Sequence, residues 1–262
     1  MFRRLSAPLF AVLLSISVFS APSVRAAPLL DVIFVLDSSG SISAGDFLTQ
    51  IDAAKSYVSV LSTGVPGASG PPPSPGLQAA DLQAGIVQFS TNATLDLGLT
   101  GNLATVNTAL DNLLQQFGQT NHAAAFAAAA AELAANGRAG AQQAIILVTD
   151  GTANEPAGSF PDPVTAAIQA ANDAKGDGIL IFAIGVGAGV DQFTLDGYAS
   201  APTAGFTALV DDFDALAALD APIAEALLTE AAVSVDAPAP LALLGLGIAG
   251  LAFMRRRRSA RA

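Results

Sequence analysis

Leu29-Leu30-Asp31-Val32-Ile33-Phe34-Val35-Leu36-Asp37, followed at once by Ser38-Ser39-Gly40-Ser41, is the stretch that decides the fold. It is an almost continuous apolar run that ends in a carboxylate. Consecutive apolar positions face both sides of an extended chain, so such a strand must be covered on both faces, as in parallel sheets. Further runs of the same kind occupy residues 84–89, 144–150, 179–186 and 206–210, and the second of these, 144–150, again ends in Asp. Residues 94–99 alternate instead and predict a short antiparallel edge strand. Helical stretches fall between the runs, at 46–61, 103–115, 121–135, 163–175, 191–199 and 212–230. Asp46 is expected to cap the first of them. Asp162 with Pro163 marks a start, the nearly poly-alanine 121–135 is a strong helix former, and Pro222 predicts a kink or break in the last. A Pro-rich stretch at 64–76 reads as a surface loop, because the strand–helix alternation continues across it. The fold class is therefore α/β, a doubly wound, Rossmann-like, mostly parallel central sheet flanked by helices.

Composition narrows the function. The 262 residues are 52% hydrophobic and 13% charged, with no Cys, no Trp and a single His. That content excludes disorder for most of the chain. A disulfide framework, a Cys-ligated metal and a multi-His site within one chain are equally excluded. The Phe residues are read as core. The net charge of −11 understates the acidity, because the basic residues cluster at the two ends. Only Lys55, Arg138 and Lys175 lie between, against 22 Asp and Glu, so the body carries −19. Such a body repels nucleic acid and anionic headgroups and suits divalent cations.

Both ends read as addresses. Residues 1–26 have the parts of a secretory signal peptide: Arg3 and Arg4, an apolar 9–19, and Val24-Arg25-Ala26 before a cleavage point. An uncleaved anchor is the alternative. The body, 27–232, would then be exported. Residues 233–262 comprise a polar Pro238-Ala239-Pro240 stretch, a fourteen-residue apolar run at 241–254 and four consecutive Arg at 255–258. The apolar run is shorter than the ~20 residues of a comfortable span, and the arginines would stay cytoplasmic. This polar–apolar–basic order resembles the PEP-CTERM sorting signals of Gram-negative bacteria. The resemblance implies a transient transmembrane helix and processing by an exosortase-like membrane protease. Pro-Ala-Pro stands where Pro-Glu-Pro is expected, and a plain short anchor is the alternative.

In an open parallel sheet, ligands bind beyond the carboxyl ends of the strands. The residues found there are Asp37-Ser38-Ser39-Gly40-Ser41, Asp150-Gly151-Thr152 and Gly118-Gln119-Thr120-Asn121. These are carboxylates and hydroxyls without Cys or Lys. All-oxygen sets suit hard cations: Mg2+ above all, then Mn2+ or Ca2+. Hydroxyls at alternate positions 39 and 41 can point the same way, with Gly40 letting the backbone bend. His122, at a helix start, is expected to be a partly exposed structural residue. Asp211, Asp212 and Asp214 read as a solvated helix start rather than a second cation site.

Asp37-Ser38-Ser39-Gly40-Ser41 resembles the D-x-S-x-S signature of von Willebrand factor type A (VWA) domains, where it forms the metal-ion-dependent adhesion site. The family's Thr before a helix is matched by Thr120 and its Asp after a core strand by Asp150. One departure is Gln119, where a second Gly is common. The resemblance implies direct ligation by Ser39 and Ser41, and by Thr120 in one state, with Asp37 and Asp150 acting through bridging water. A vacant position would take a carboxylate from a partner, an extracellular protein or an acidic polysaccharide. The expected function is a non-enzymatic adhesion or interaction module, secreted or held at the cell surface. A structural matrix component with a VWA scaffold is the runner-up. A metal-assisted hydrolase ranks behind both, since the only candidate base is His122, no G-x-S-x-G elbow exists, and no phosphate loop is present.

Overall fold

The computed structural model describes residues 27–64, 80–155 and 159–236. The expected signal peptide, residues 237–262 of the expected C-terminal segment 233–262 and most of the Pro-rich loop 64–76 lie outside these, while residues 233–236 belong to the last helix. Six strands form one sheet: β1 (Leu29–Asp37), β2 (Asp81–Phe89), β3 (Ala93–Thr100), β4 (Gln142–Thr149), β5 (Leu180–Val186) and β6 (Thr207–Val210), in the order β3-β2-β1-β4-β5-β6. All pairings are parallel except β2 with β3. β1 lies inside the sheet between β2 and β4, and Val32 to Leu36 are fully buried, as a strand covered on both faces must be.

The helices are α1 (Ala44–Thr63), α2 (Leu103–Asp111), α3 (His122–Asn136), α4 (Pro163–Gly176), α5 (Gln192–Tyr198) and α6 (Asp220–Asp236). α1 packs with α2 and α6, while α4 packs between α3 and α5, so two helical layers sandwich the sheet. The chain leaves β1 toward β2 on one side and returns to β4 on the other. The carboxyl ends of β1 and β4 therefore border the crevice where the winding reverses. No helix among the described residues is long and apolar enough to cross a membrane.

Several local expectations need correction. Ser43, not Asp46, caps α1: the Asp46 amide donates to Ser43 Oγ at 3.2 Å, and the Ser43 hydroxyl donates back to the Asp46 carboxylate at 2.7 Å. α2 stops at Asp111 rather than at residue 115. The Asn112 amide turns back onto the last helical carbonyls, which frees Gln115 and Gln116 to brace the neighbouring loop. The stretch 212–230 is two elements, a 3-10 turn Phe213–Leu219 and then α6. Pro222 falls in the first turn of α6, where no intrahelical partner is required of its nitrogen, so it kinks nothing. His122 is fully buried, and three Phe residues are not core: Phe117, Phe160 and Phe193 are exposed.

Candidate metal centre

β1 ends in Asp37, where the apolar run gives way to small polar residues, and the Ser38 amide makes a last bond to Phe89 O of β2 at 2.8 Å. The Ser39 amide donates to Asp37 Oδ1 at 2.9 Å and closes a tight turn. That turn sets the Ser39 and Ser41 hydroxyls 3.0 Å apart, and Ser41 Oγ donates to Asp150 Oδ1 at 2.7 Å. Since Ser41 gives its proton to Asp150, Ser39 is the donor between the two serines. Asp37, Ser39, Ser41 and Asp150 thus stand together at the crevice.

Thr120 arrives on the connection from α2 to α3, which is fastened on both sides. The Phe117 amide donates to Ser38 O at 2.8 Å, and the Gly40 amide donates to Gly118 O at 3.0 Å. A Cβ on Gly40 would lie 3.3 Å from that same carbonyl, a tight contact, so the close approach of the two loops favours glycine there. On the other side the Thr120 amide donates to Asn154 Oδ1 at 2.8 Å, and the Asn154 amide returns a bond to Thr120 O at 2.9 Å. Thr120 is therefore tied to the loops that follow both Asp37 and Asp150. The same connection carries a strained residue: Phe117 has φ 60°. This left-handed conformation costs an L-residue about 1–2 kcal/mol.

Beneath the hydroxyls lies a polar chain that sequence reading missed. The buried Asp37 Oδ2 accepts from Thr149 Oγ1 at 2.7 Å. Thr149 Oγ1 lies 3.0 Å from His122 Nε2, and His122 Nδ1 lies 3.1 Å from the Tyr198 hydroxyl. A Thr hydroxyl has one proton, and here it goes to the carboxylate. His122 must then donate from Nε2 and accept at Nδ1, so every donor in the chain Tyr198, His122, Thr149 points toward Asp37. The ring of His122 is clamped edge-on by Phe89 and Tyr198. The only sequence signal for this polar chain is Thr149, which closes the apolar run 144–148 of β4.

Burial dominates the titration behaviour. It pushes the Asp37 carboxyl up to about 6, against the bonds from Thr149 and Ser39 that favour the charged form, with the nearby Asp150 charge adding a smaller push upward. Burial also raises Asp150 above the ordinary carboxylate range, opposed by the Ser41 bond. His122 is pushed down to about 3 by burial and stays neutral.

The donor set fits a hard cation. Two cis oxygens on an octahedral Mg2+ with bonds of ~2.1 Å stand about 3.0 Å apart, and the Ser39 and Ser41 hydroxyl oxygens stand 3.0 Å apart. Among the described residues, no cluster of three or more His, Cys, Asp and Glu could hold an ion by itself, so a cation here depends on hydroxyl oxygens. When bound it would supply a positive centre with positions open to an outside oxygen. Thr149→Val should weaken Mg2+ binding about ten- to a hundredfold by isothermal calorimetry, since a hydrogen bond to a charged group is worth ~1.5–3 kcal/mol. Thr149→Ser, which keeps the hydroxyl, should bind as the parent does.

Mouse collagen alpha-4(VI) chain is 27% identical over 158 residues, covering 60% of this chain but 6% of the collagen. The solved proximal thread matrix protein 1 of the mussel byssus, with a zinc-occupied MIDAS motif, is 25% identical with a TM-score of 0.60, covering 77% of this chain and 46% of that one. The vWF domain of a type V pili tip protein from Porphyromonas gingivalis has a TM-score of 0.59 at 15% identity, over 78% of this chain and 97% of that one, a likeness of fold. Residues 31–222 match the von Willebrand factor type A domain. With that match running from β1 into α6, the chain belongs to the von Willebrand factor type A domain family.

Proposed function

We propose that this chain is an exported, non-enzymatic binding module that captures a partner's carboxylate through a divalent cation. Mg2+ is the cation the oxygen set favours, with Mn2+ or Ca2+ next. Ser39, Ser41 and Thr120 would be its protein ligands, and Asp37 and Asp150 would hold bridging water. The observation that carries this reading is the file of Ser39, Ser41 and Asp150 oxygens, 3.0 and 2.7 Å apart, above a buried carboxylate at the point where the sheet's winding reverses. An ion held largely by neutral hydroxyls keeps much of its positive charge, so an incoming anion is strongly attracted.

Hydrolysis is disfavoured by the geometry. The serine hydroxyls bond to one another and to Asp150, whereas the one histidine among the described residues is buried behind Thr149 and bonded to it. The occupied MIDAS motif of the mussel matrix protein and the pilus-tip fold support an extracellular adhesive or matrix role. Residues 1–26 would direct export, 27–232 would form the binding domain, and 233–262 would be a sorting tail read by an exosortase-like protease. The partner would be an extracellular protein or an acidic polysaccharide.

Calorimetry with Mg2+ and Mn2+ tests the site. One cation should bind per chain, with affinity lost in the Asp37→Ala, Asp150→Ala double variant and weakened at least tenfold in Ser39→Ala and Thr120→Ala. Undiminished binding in the double variant would place the ion elsewhere.

A further inference from the structure

Exposed large apolar side chains are concentrated at the edge of the sheet that carries the hydroxyl site. Leu48 lies in the second turn of α1, Leu114 and Phe117 on the connection that carries Thr120, Phe160 on the connection from β4 to α4, and Phe193 in the first turn of α5. Each belongs to a segment at the carboxyl ends of β1, β4 or β5 or to the loop fastened against them. The other two exposed large apolar residues among those described, Leu95 and Leu209, lie in the outermost strands β3 and β6. The exposures are large: 81% for Leu114, 59% for Phe117 and 82% for Phe193.

Phe117 is the most telling of the five. Its backbone sits at φ 60°, where Asn or Gly would be relaxed, and its ring is turned to solvent instead of into the core. Neither the backbone nor the burial of the domain is served by an aromatic residue there. Strain of this kind concentrates where a ligand is bound.

The charges around the site argue in the same direction. The three described cations are all placed away from it. Lys55 is mid-helix in α1 and paired with Asp52 and Asp111. Arg138 is bonded to Asp31 and Asp81 at the amino ends of β1 and β2. Lys175 closes α4 on the carbonyls of Gly197 and Ala199. The carboxyl edge itself presents Asp46, Asp150, Glu155, Asp162 and Asp191. A polyanion laid across this face would meet these carboxylates and the apolar side chains around the ion, with no described Lys or Arg to balance its charge. A single carboxylate flanked by apolar side chains meets the ion at its charge and the rim at its flanks.

Resting on the carboxylate-capture reading above, we propose that the partner is a polypeptide presenting one Asp or Glu between apolar or aromatic residues, seated on a rim that includes Phe117 and Phe193, and not an acidic polysaccharide. Burying an aromatic side chain against such a rim is worth about tenfold or more in affinity.

The test uses the mature full chain and three probes in Mg2+ and in EDTA. These are a phage-displayed peptide library with one fixed central Asp and random flanks, synthetic peptides with that Asp between Phe and Leu or between two Ser, and hyaluronan. Selection should enrich Phe, Tyr, Leu or Ile beside the Asp. The Phe/Leu peptide should bind at least about tenfold more tightly than the Ser peptide, and more tightly than hyaluronan, with all binding lost in EDTA. Phe117→Asn should lower affinity for the apolar peptide at least fivefold while raising the melting temperature and leaving Mg2+ calorimetry unchanged. Phe193→Ser should lower that affinity with no change in melting temperature. Equal Mg2+-dependent binding of both peptides, or preference for hyaluronan, overturns the rim while leaving carboxylate capture standing. No Mg2+-dependent selection from the library overturns both. A lower melting temperature in Phe117→Asn would make that ring a structural element and remove it from the rim.

Discussion

Asp37→Asn is expected to abolish Mg2+ binding and, in the same molecule, to raise the melting temperature of the metal-free protein. The Asp37 carboxyl is fully buried, and burial pushes it from 3.8 up to about 6. At pH 7 the fold still holds it ionised, at a cost of about 3 kcal/mol for a shift of this size. Asn has the same shape without the charge. Its carbonyl keeps the Ser39 amide bond, and its NH2 can donate to Thr149 Oγ1. The hydroxyl of Thr149 would then turn to His122 Nε2, and His122 would donate from Nδ1 to Tyr198. The chain reverses direction because a neutral imidazole offers either tautomer, and only the Tyr198 hydroxyl proton loses its acceptor, at about 1–3 kcal/mol. A net gain of up to about 2 kcal/mol follows, worth ~2–4 °C per kcal/mol in a domain of this size. Scanning calorimetry in EDTA and in Mg2+ checks both halves. A variant that melts lower in EDTA and still responds to Mg2+ would sink the assignment.

The sign of the pH dependence follows from the same residue. A carboxyl raised in the fold is penalised wherever it is ionised, so the metal-free parent should become more stable as pH falls from 7 through about 6 toward 4. The cation needs the ionised form, so Mg2+ affinity should fall over the same window. The Asn variant should lose this part of the stability slope.

Much of this was legible in the sequence, and the reasons are specific. Continuous apolar runs of strand length alternating with helical stretches point to parallel strands buried on both faces, so β1, β2, β4 and β5 could be placed, and the alternation at 94–99 marked β3. The ends of elements were harder. Asp46 looked like a cap because it begins the apolar periodicity, yet Ser43, three residues before it, completes a reciprocal pair with it. The oxygen set after β1 and β4 was legible because strand ends converge in this topology. The support beneath it was not. Thr149, His122 and Tyr198 come from β4, α3 and α5, and nothing in local pattern reports that three distant side chains meet. Apolar content also misled at Phe117, Phe160 and Phe193, since composition implies a core but cannot say which aromatic residues stay at the surface.

Arg138→Ala is expected to destabilise the fold by about 3–5 kcal/mol, the cost of leaving a buried charge without its partner. Asp31 interrupts the apolar run of β1 and is fully buried. Its Oδ2 accepts the Arg138 amide at 2.6 Å, and its Oδ1 accepts Nε at 2.8 Å and lies 2.7 Å from a terminal guanidinium nitrogen. The same guanidinium reaches the Asp81 carboxylate at 2.9 Å, Leu30 O at 3.0 Å and Asp81 O at 2.6 Å. One side chain thereby clips the starts of β1 and β2 to the turn that precedes β4. Lysine has no planar fork to make these bonds together, so Arg138→Lys should recover only part of the loss. Asp31→Asn placed on the Arg138→Ala background should recover more, because it removes the uncompensated charge while keeping an acceptor for the residue 138 amide. Urea unfolding of the three variants orders them, and an unchanged midpoint in Arg138→Ala would show the pair to be inert. Mg2+ affinity measured well below each melting temperature should stay that of the parent. The clip sits at the amino ends of the strands and the oxygen site at their carboxyl ends, so the Arg138 variants should lose stability without a change at the proposed cation site, in contrast to Asp37→Asn, which should move both.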